Sequence, residues 1–152
     1  MRFGKHIGKT LPQVLLTDPD WFYWAAVKNP FLWGPLEQEA ADLLAKAARI
    51  KIPKRNLKKW AVEYVFDRDG RFERWDIVKA DSWMHRGSGY RERSDHLDLF
   101  TVAERKTYDK GGNKKLIRGF RRLYFGSASA RMTERRCKAF FDNDDNFILP
   151  GN

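Results

Sequence analysis

The sequence predicts an α+β protein, in which a small N-terminal module of turns and helices precedes a strand-rich, basic domain closed by a helix. Apolar residues recur at helical spacing from Trp21 to Ile50, then alternate as in strands from position 61 to position 79. Charge is the third observation. Twelve Lys and Arg against two acids, Asp109 and Glu134, lie between Arg105 and Lys138, a surplus equal to the net +10 of the whole 152-residue chain. The length suits one domain or two small ones. The change of period places a boundary near position 54, giving units 1–54 and 55–152.

The elements follow in order. Asp18-Pro19-Asp20 starts the first helix, with Asp18 as its cap, Pro19 in the first helical position and Asp20 near the positive helix end. Trp21, Phe22, Trp24 and Ala25 supply its apolar stripe, and Asn29-Pro30 ends it. Gly34-Pro35 opens a second helix with Leu36, Ala40, Leu43, Leu44, Ala47 and Ile50 at helical spacing, ended by Pro53. Positions 61–66 (AVEYVF), a turn at 67–70 (DRDG) and positions 71–79 (RFERWDIVK) make a β-hairpin. Positions 84–94 (MHRGSGYRERS) lack periodicity and read as a basic loop, with a strand resuming over 97–106 (LDLFTVAERK). Positions 114–125 (KKLIRGFRRLYF) fit either a helix or the return strand of a hairpin, and Gly119 tips the reading to a strand. Ser129 is then the cap of a last helix reaching about Phe141.

Six Trp, eleven Phe and five Tyr within a 42% hydrophobic composition are enough for a core of large side chains. A single cysteine, Cys137, excludes an internal disulfide, and with His6, His85 and His96 it shows no zinc-ligand spacing. No apolar run approaches the roughly 20 residues of a membrane span. The N-terminus lacks the apolar stretch of a signal peptide. The expectation is a cytoplasmic protein with no membrane partner.

Two motif-like stretches fail on spacing. Gly4-Lys5-His6-Ile7-Gly8-Lys9-Thr10 ends like a nucleotide-binding P-loop, but the required first glycine falls on Phe3 and no strand precedes it. Asp142-Asn143-Asp144-Asp145-Asn146 begins like a calcium loop, but Phe147 stands where that loop needs glycine. It reads instead as an acidic tail that shields basic surface.

A third stretch carries chemistry. Glu104 and Lys106 form the Glu-x-Lys of a Mg²⁺-dependent nuclease of the PD-(D/E)xK kind if they share one strand face. Asp81, or less well Asp76 or Asp98, would be the second metal carboxylate, and Glu63 an outer acid. Mg²⁺ is implied only under this alternative; the preferred reading takes no cofactor. A His96–Asp98 pair has no nucleophile beside it, since Ser127 and Ser129 are not in a nucleophile elbow.

The densest constellation is basic and aromatic. Arg118, Arg121 and Arg122 lie among Phe120, Tyr124 and Phe125, and Arg131, Arg135, Arg136 and Lys138 follow. Arginine pairs bidentately with phosphate, and exposed rings stack on bases. The 86–91 stretch (RGSGYR) offers a second basic grip.

Residues 3–11 (FGKHIGKTL) with 21–25 (WFYWA) and 41–52 (ADLLAKAARIKI) also carry a family likeness. They resemble the Phe-Gly-Lys-x-x-Gly-Lys…Tyr-x-x-Trp pattern of the exodeoxyribonuclease X-like C-terminal module. Stand-alone quorum-sensing-regulated virulence factors and small phage proteins share that pattern. The resemblance covers about residues 2–54, with Trp21 where the family usually has tyrosine. It implies a bacterial or phage module that accompanies DNA exonucleases without supplying their catalytic acids, and it places Lys5 and Lys9 toward phosphate.

The expectation is therefore a non-catalytic nucleic-acid-binding accessory protein, for DNA, acting through backbone phosphates. Its contacts would be Lys5, Lys9, Arg118, Arg121, Arg122, Arg131, Arg135 and Arg136. The alternatives are the nuclease of Asp81, Glu104 and Lys106, or a phage-type protein that occupies a host nucleic-acid enzyme. Strandedness and oligomeric state stay open.

Overall fold

The computed structural model describes residues 4–28, 34–53, 58–84, 89–105, 109 and 111–150. Its class is α+β, with helices leading the chain and a helix late in it. The opening GKT serves helix capping. Gly8 takes a left-handed φ of 85°, and Thr10 caps α1 (Leu11–Thr17) in a reciprocal capping box with Gln13. Asp18 caps α2 (Pro19–Tyr23) by accepting from the Trp21 N–H at 3.3 Å. A π-helical turn, Trp24–Lys28, follows. Burial here falls to Phe22 and Ala25, whereas Trp24 is 44% exposed.

Gly34–Leu36 is a 3-10 turn leading into α3 (Glu37–Ala47). Ile50, expected as the last apolar residue of that helix, instead begins β1 (Ile50–Lys51). The expected hairpin is present as β2 (Trp60–Phe66) and β3 (Phe72–Lys79) in antiparallel register, Glu63 opposite Asp76. Its turn is held by the Asp67 carboxylate, which accepts from the backbone N–H of Asp69 and Arg71 at 2.9 and 2.8 Å.

Four further expectations are corrected. Part of the basic loop is a strand, β4 (Tyr90–Ser94), on the other side of β2, so the sheet order is β3-β2-β4. Residues 85–88 lie outside the described residues. The strand expected over 97–106 reduces to β5 (His96–Leu97), paired with β1, followed by a helical turn α4 (Thr101–Glu104). Positions 114–125 are helical, within α5 (Gly112–Phe125). The final helix, α6 (Glu134–Asp142), is capped by Thr133 rather than Ser129.

Gly119 explains the α5 correction. A Cβ there would lie 2.7 Å from Nε1 of Trp75 on β3, whose indole N–H donates to the Leu116 carbonyl at 3.3 Å. The glycine that weakens the helix locally lets it lie down on the sheet. One apolar core runs through both stretches divided at position 54. Leu15 and Phe22 share it with Phe72, Leu97, Leu116, Phe120 and Phe147. α1 packs on α6, and α2 on α4 and α5. Among the described residues no helix is long and apolar enough to cross a membrane.

Candidate nucleic-acid interface

The expected contact residues separate into three environments. Lys5 is held by Asp18 at 2.6 Å, and His6, 6% exposed, brings its Nε2 to the same carboxylate oxygen at 3.1 Å. Burial pushes the Asp18 carboxyl up, but the hydrogen bonds from Lys5, the Trp21 N–H and His6 outweigh it and leave the acid below its ordinary range. Lys5, His6 and Asp18 therefore brace the entry to α1 and α2. Lys9 is exposed on the rim of a cleft of about 350 Å³ that Lys5, His6, Asp18, Asp20 and Asn113 also line.

Arg121 turns inward. One guanidinium nitrogen donates to the Leu16 carbonyl of α1 at 3.1 Å, and its Nε is buried without a partner. Burial, aided by the charge of Arg118, pulls its pKa below the usual guanidinium value, against a weaker pull from Cys137. It ties α5 to α1 and is poorly placed for a phosphate.

The remaining five arginines face out. On α5, Leu116, Ile117 and Phe120 are buried while Lys114, Lys115, Arg118 and Arg122 are exposed, as the helical repeat dictates. Arg131 precedes α6, and Arg135 and Arg136 occupy its first turn. Among the described residues no carboxylate stands within ion-pair distance of Lys114, Lys115, Arg118, Arg122, Arg131, Arg135 or Arg136. Arg136 reaches only the Arg131 carbonyl, at 2.9 Å, and lies 5.5 Å over the Phe125 ring.

Among the described residues the arginines within β3 and β4 are matched, whereas Arg49, Lys59, Arg68, Arg71 and Lys79 also lack an ion pair but do not cluster on one helix face. Arg91 and Arg93 both bind the buried Glu63 carboxylate at 2.7 Å, and Arg74 pairs with Asp76 and Arg105 with Glu92. The acidic tail neutralises lysines outside α5, Asp144 holding Lys46 and Asp142 holding Lys138, each at 2.9 Å.

Asp81 and Glu104 of the nuclease alternative line different hollows, although Asp98, the lesser candidate for the second carboxylate, shares a cleft with Glu104. Glu104 sits on the helical turn α4, so no strand presents a Glu-x-Lys, and Lys106 lies outside the described residues. Asp81 is exposed in a hollow with Lys58, Trp60 and Lys79. Glu104 instead shares a separate polar cleft of about 290 Å³ with Tyr64, His96 and Asp98. Burial pushes the Asp98 carboxyl up to about 6; the Phe100 N–H bond opposes that rise and the Glu104 charge adds to it. Among the described residues no group of three or more His, Cys, Asp or Glu side chains is arranged to hold a metal ion.

Sequence reasoning missed a groove between the end of α5 and α6. Tyr124, Phe125 and Phe140 line it, Leu123 and Ala139 are exposed beside them, and Arg135 and Arg136 stand over it. Its signal was the Leu-Tyr-Phe run at 123–125, which reads as a groove edge only once 114–125 is helical. Compared with family models, curated proteins and solved structures, the chain has no significant match to any of the three.

Proposed function

We propose that this is a cytoplasmic, non-catalytic nucleic-acid-binding protein that holds DNA by its backbone phosphates along the exposed side of α5 and the start of α6. The carrying observation is the cluster of outward cations on α5 and at the start of α6 that has no carboxylate partner among the described residues, Arg118, Arg122, Arg131 and Arg135 chief among them. Their position adds support. Lys114, Lys115, Arg135 and Arg136 lie in or next to the first turns of their helices, where the helix field repels cations by about 0.3–1 kcal/mol each. Folding stability alone favours the opposite placement. A polyanion offsets the cost, because every phosphate neutralised also releases a condensed counterion.

The likeness of residues 2–54 to a module carried by DNA exonucleases points the same way, although Lys5 contributes structure before it contributes contact. Fluorescence anisotropy with labelled single- and double-stranded DNA, titrated in salt with Mg²⁺ present, tests the reading. Binding that weakens steeply with salt and leaves the DNA intact supports it. Absence of binding at low salt overturns it in favour of a protein partner, and cleaved DNA moves the function to the Glu104 cleft.

A further inference from the structure

The outward arginines border something that phosphate binding does not use. The groove between α5 and α6 has an accessible volume of about 700 Å³ and an aromatic floor. Phe125 and Phe140 meet edge to face at 5.8 Å, Tyr124 and Phe140 at 5.7 Å, and the Tyr124 hydroxyl donates to the Lys51 carbonyl, so the rings are held in place. Leu123, at 40% exposure, and Ala139 leave the groove open to solvent. Arg135 and Arg136 form its charged wall.

We infer that this groove receives an unpaired base, so that the protein prefers a single strand over a duplex; the inference rests on the phosphate-binding reading and deepens it. Charge complementarity selects the occupant. A ligand that satisfies apolar rings together with arginines that no carboxylate answers among the described residues must carry anionic groups and flat, exposed π-faces along one chain. Single-stranded DNA or RNA has both. A duplex presents its phosphates at higher density but keeps its base faces stacked inside, and so gains nothing from the aromatic floor. An uncharged apolar segment gains the floor and leaves the arginines unanswered. In the bound state the base lies against Leu123 and the Arg136 guanidinium, which itself lies over the Phe125 ring, while a flanking phosphate meets Arg135.

Four labelled probes of equal length test this by anisotropy: an oligothymidylate, an abasic strand with the same phosphates, a duplex, and an oligouridylate. The wild-type protein should bind the oligothymidylate or the oligouridylate roughly tenfold or more tighter than the abasic strand, the yield of about one stacked base. Whichever of the two binds tighter identifies DNA or RNA. Ala139→Leu fills the groove with apolar bulk on an exposed helical position, which keeps the charge and the helix propensity. This variant should lose the preference and bind the oligothymidylate and the oligouridylate only as tightly as the abasic strand. Equal binding of base-bearing and abasic strands by the wild type, or a preference that survives Ala139→Leu, overturns the groove inference while leaving phosphate binding in force. Failure to bind any probe at low salt overturns both.

Discussion

The two sides of this molecule use arginine in opposite ways. On β4, alternate residues Arg91 and Arg93 point to the face that carries Glu63 of β2, and the buried carboxylate accepts from both at 2.7 Å. On α5 and at the start of α6 the arginines are as dense, yet no acid answers them among the described residues. Net charge therefore does not measure available charge. Glu63 shows the cost of removing charge from water: burial pushes its carboxyl up, and Arg93 and Arg91 together bring it below the ordinary glutamate value. Arg93 Nη1 donates in turn to the carbonyls of Ala80 and Ser82, at 3.2 and 2.7 Å, fixing the turn after β3.

Four variants sharpen the contrast. The largest expected effect is at the paired side. Glu63→Gln leaves two arginines facing a buried amide and should cost about 3–5 kcal/mol in urea unfolding. The pH dependence has a definite sign. A carboxyl whose folded pKa lies below its free value stabilises the fold above about pH 4.5, and that contribution disappears as pH falls through the folded value. Glu63→Gln should therefore erase this part of acid unfolding. If its stability matched wild type, the Glu63 cluster would be ornamental and the contrast would collapse.

Arg121→Ala should cost about 1–3 kcal/mol, because the Leu16 carbonyl loses its donor. The salt dependence of DNA binding should stay unchanged, and a flattened slope would return Arg121 to the contact face. Asp98→Asn runs the opposite way in pH. A carboxyl raised to about 6 when folded stabilises the fold at low pH, and that contribution is lost as pH rises through 6. The variant should be more stable than wild type by about 1–2 kcal/mol at pH 8, with the difference vanishing near pH 4. Thermal melts across pH check it.

The smallest effect on folding is expected at the unpaired side. The Arg118→Ala, Arg122→Ala double variant should unfold within about 0.5 kcal/mol of wild type. It should nevertheless lower the log–log salt slope for duplex DNA by about 0.9 per arginine. A large loss of stability with an unchanged slope would mean that these arginines, too, are structural.

Much of the fold was legible because the signals were local. Asp18-Pro19 announces its helix through capping chemistry within a few residues, and DRDG announces the hairpin turn through Gly70, whose φ is 79°. What escaped depended on distant neighbours. β4 reads as YRERS, too polar for a strand until Glu63 lies beneath its arginines. Gly119 argued against a helix because its reason, the Trp75 indole, is more than forty residues away. For the candidate interface, the charge density was plain in the sequence. The orientation was not, since Arg121 and Arg122 are adjacent in the chain and differ only in which side of a helix each occupies.

Phe147 has a consequence for the order in which the protein can be made. Its ring is fully buried against Phe140 and Phe141, and its backbone bridges to Ile50, almost a hundred residues earlier. A nascent chain on the ribosome cannot close its core until position 147 has emerged. Before then Phe140, Phe141 and Ile50 each lack one of their partners, and folding waits on a contact of high sequence separation. Stalled or proteolysed chains that stop short of Phe147 should therefore be the species that chaperones and proteases meet.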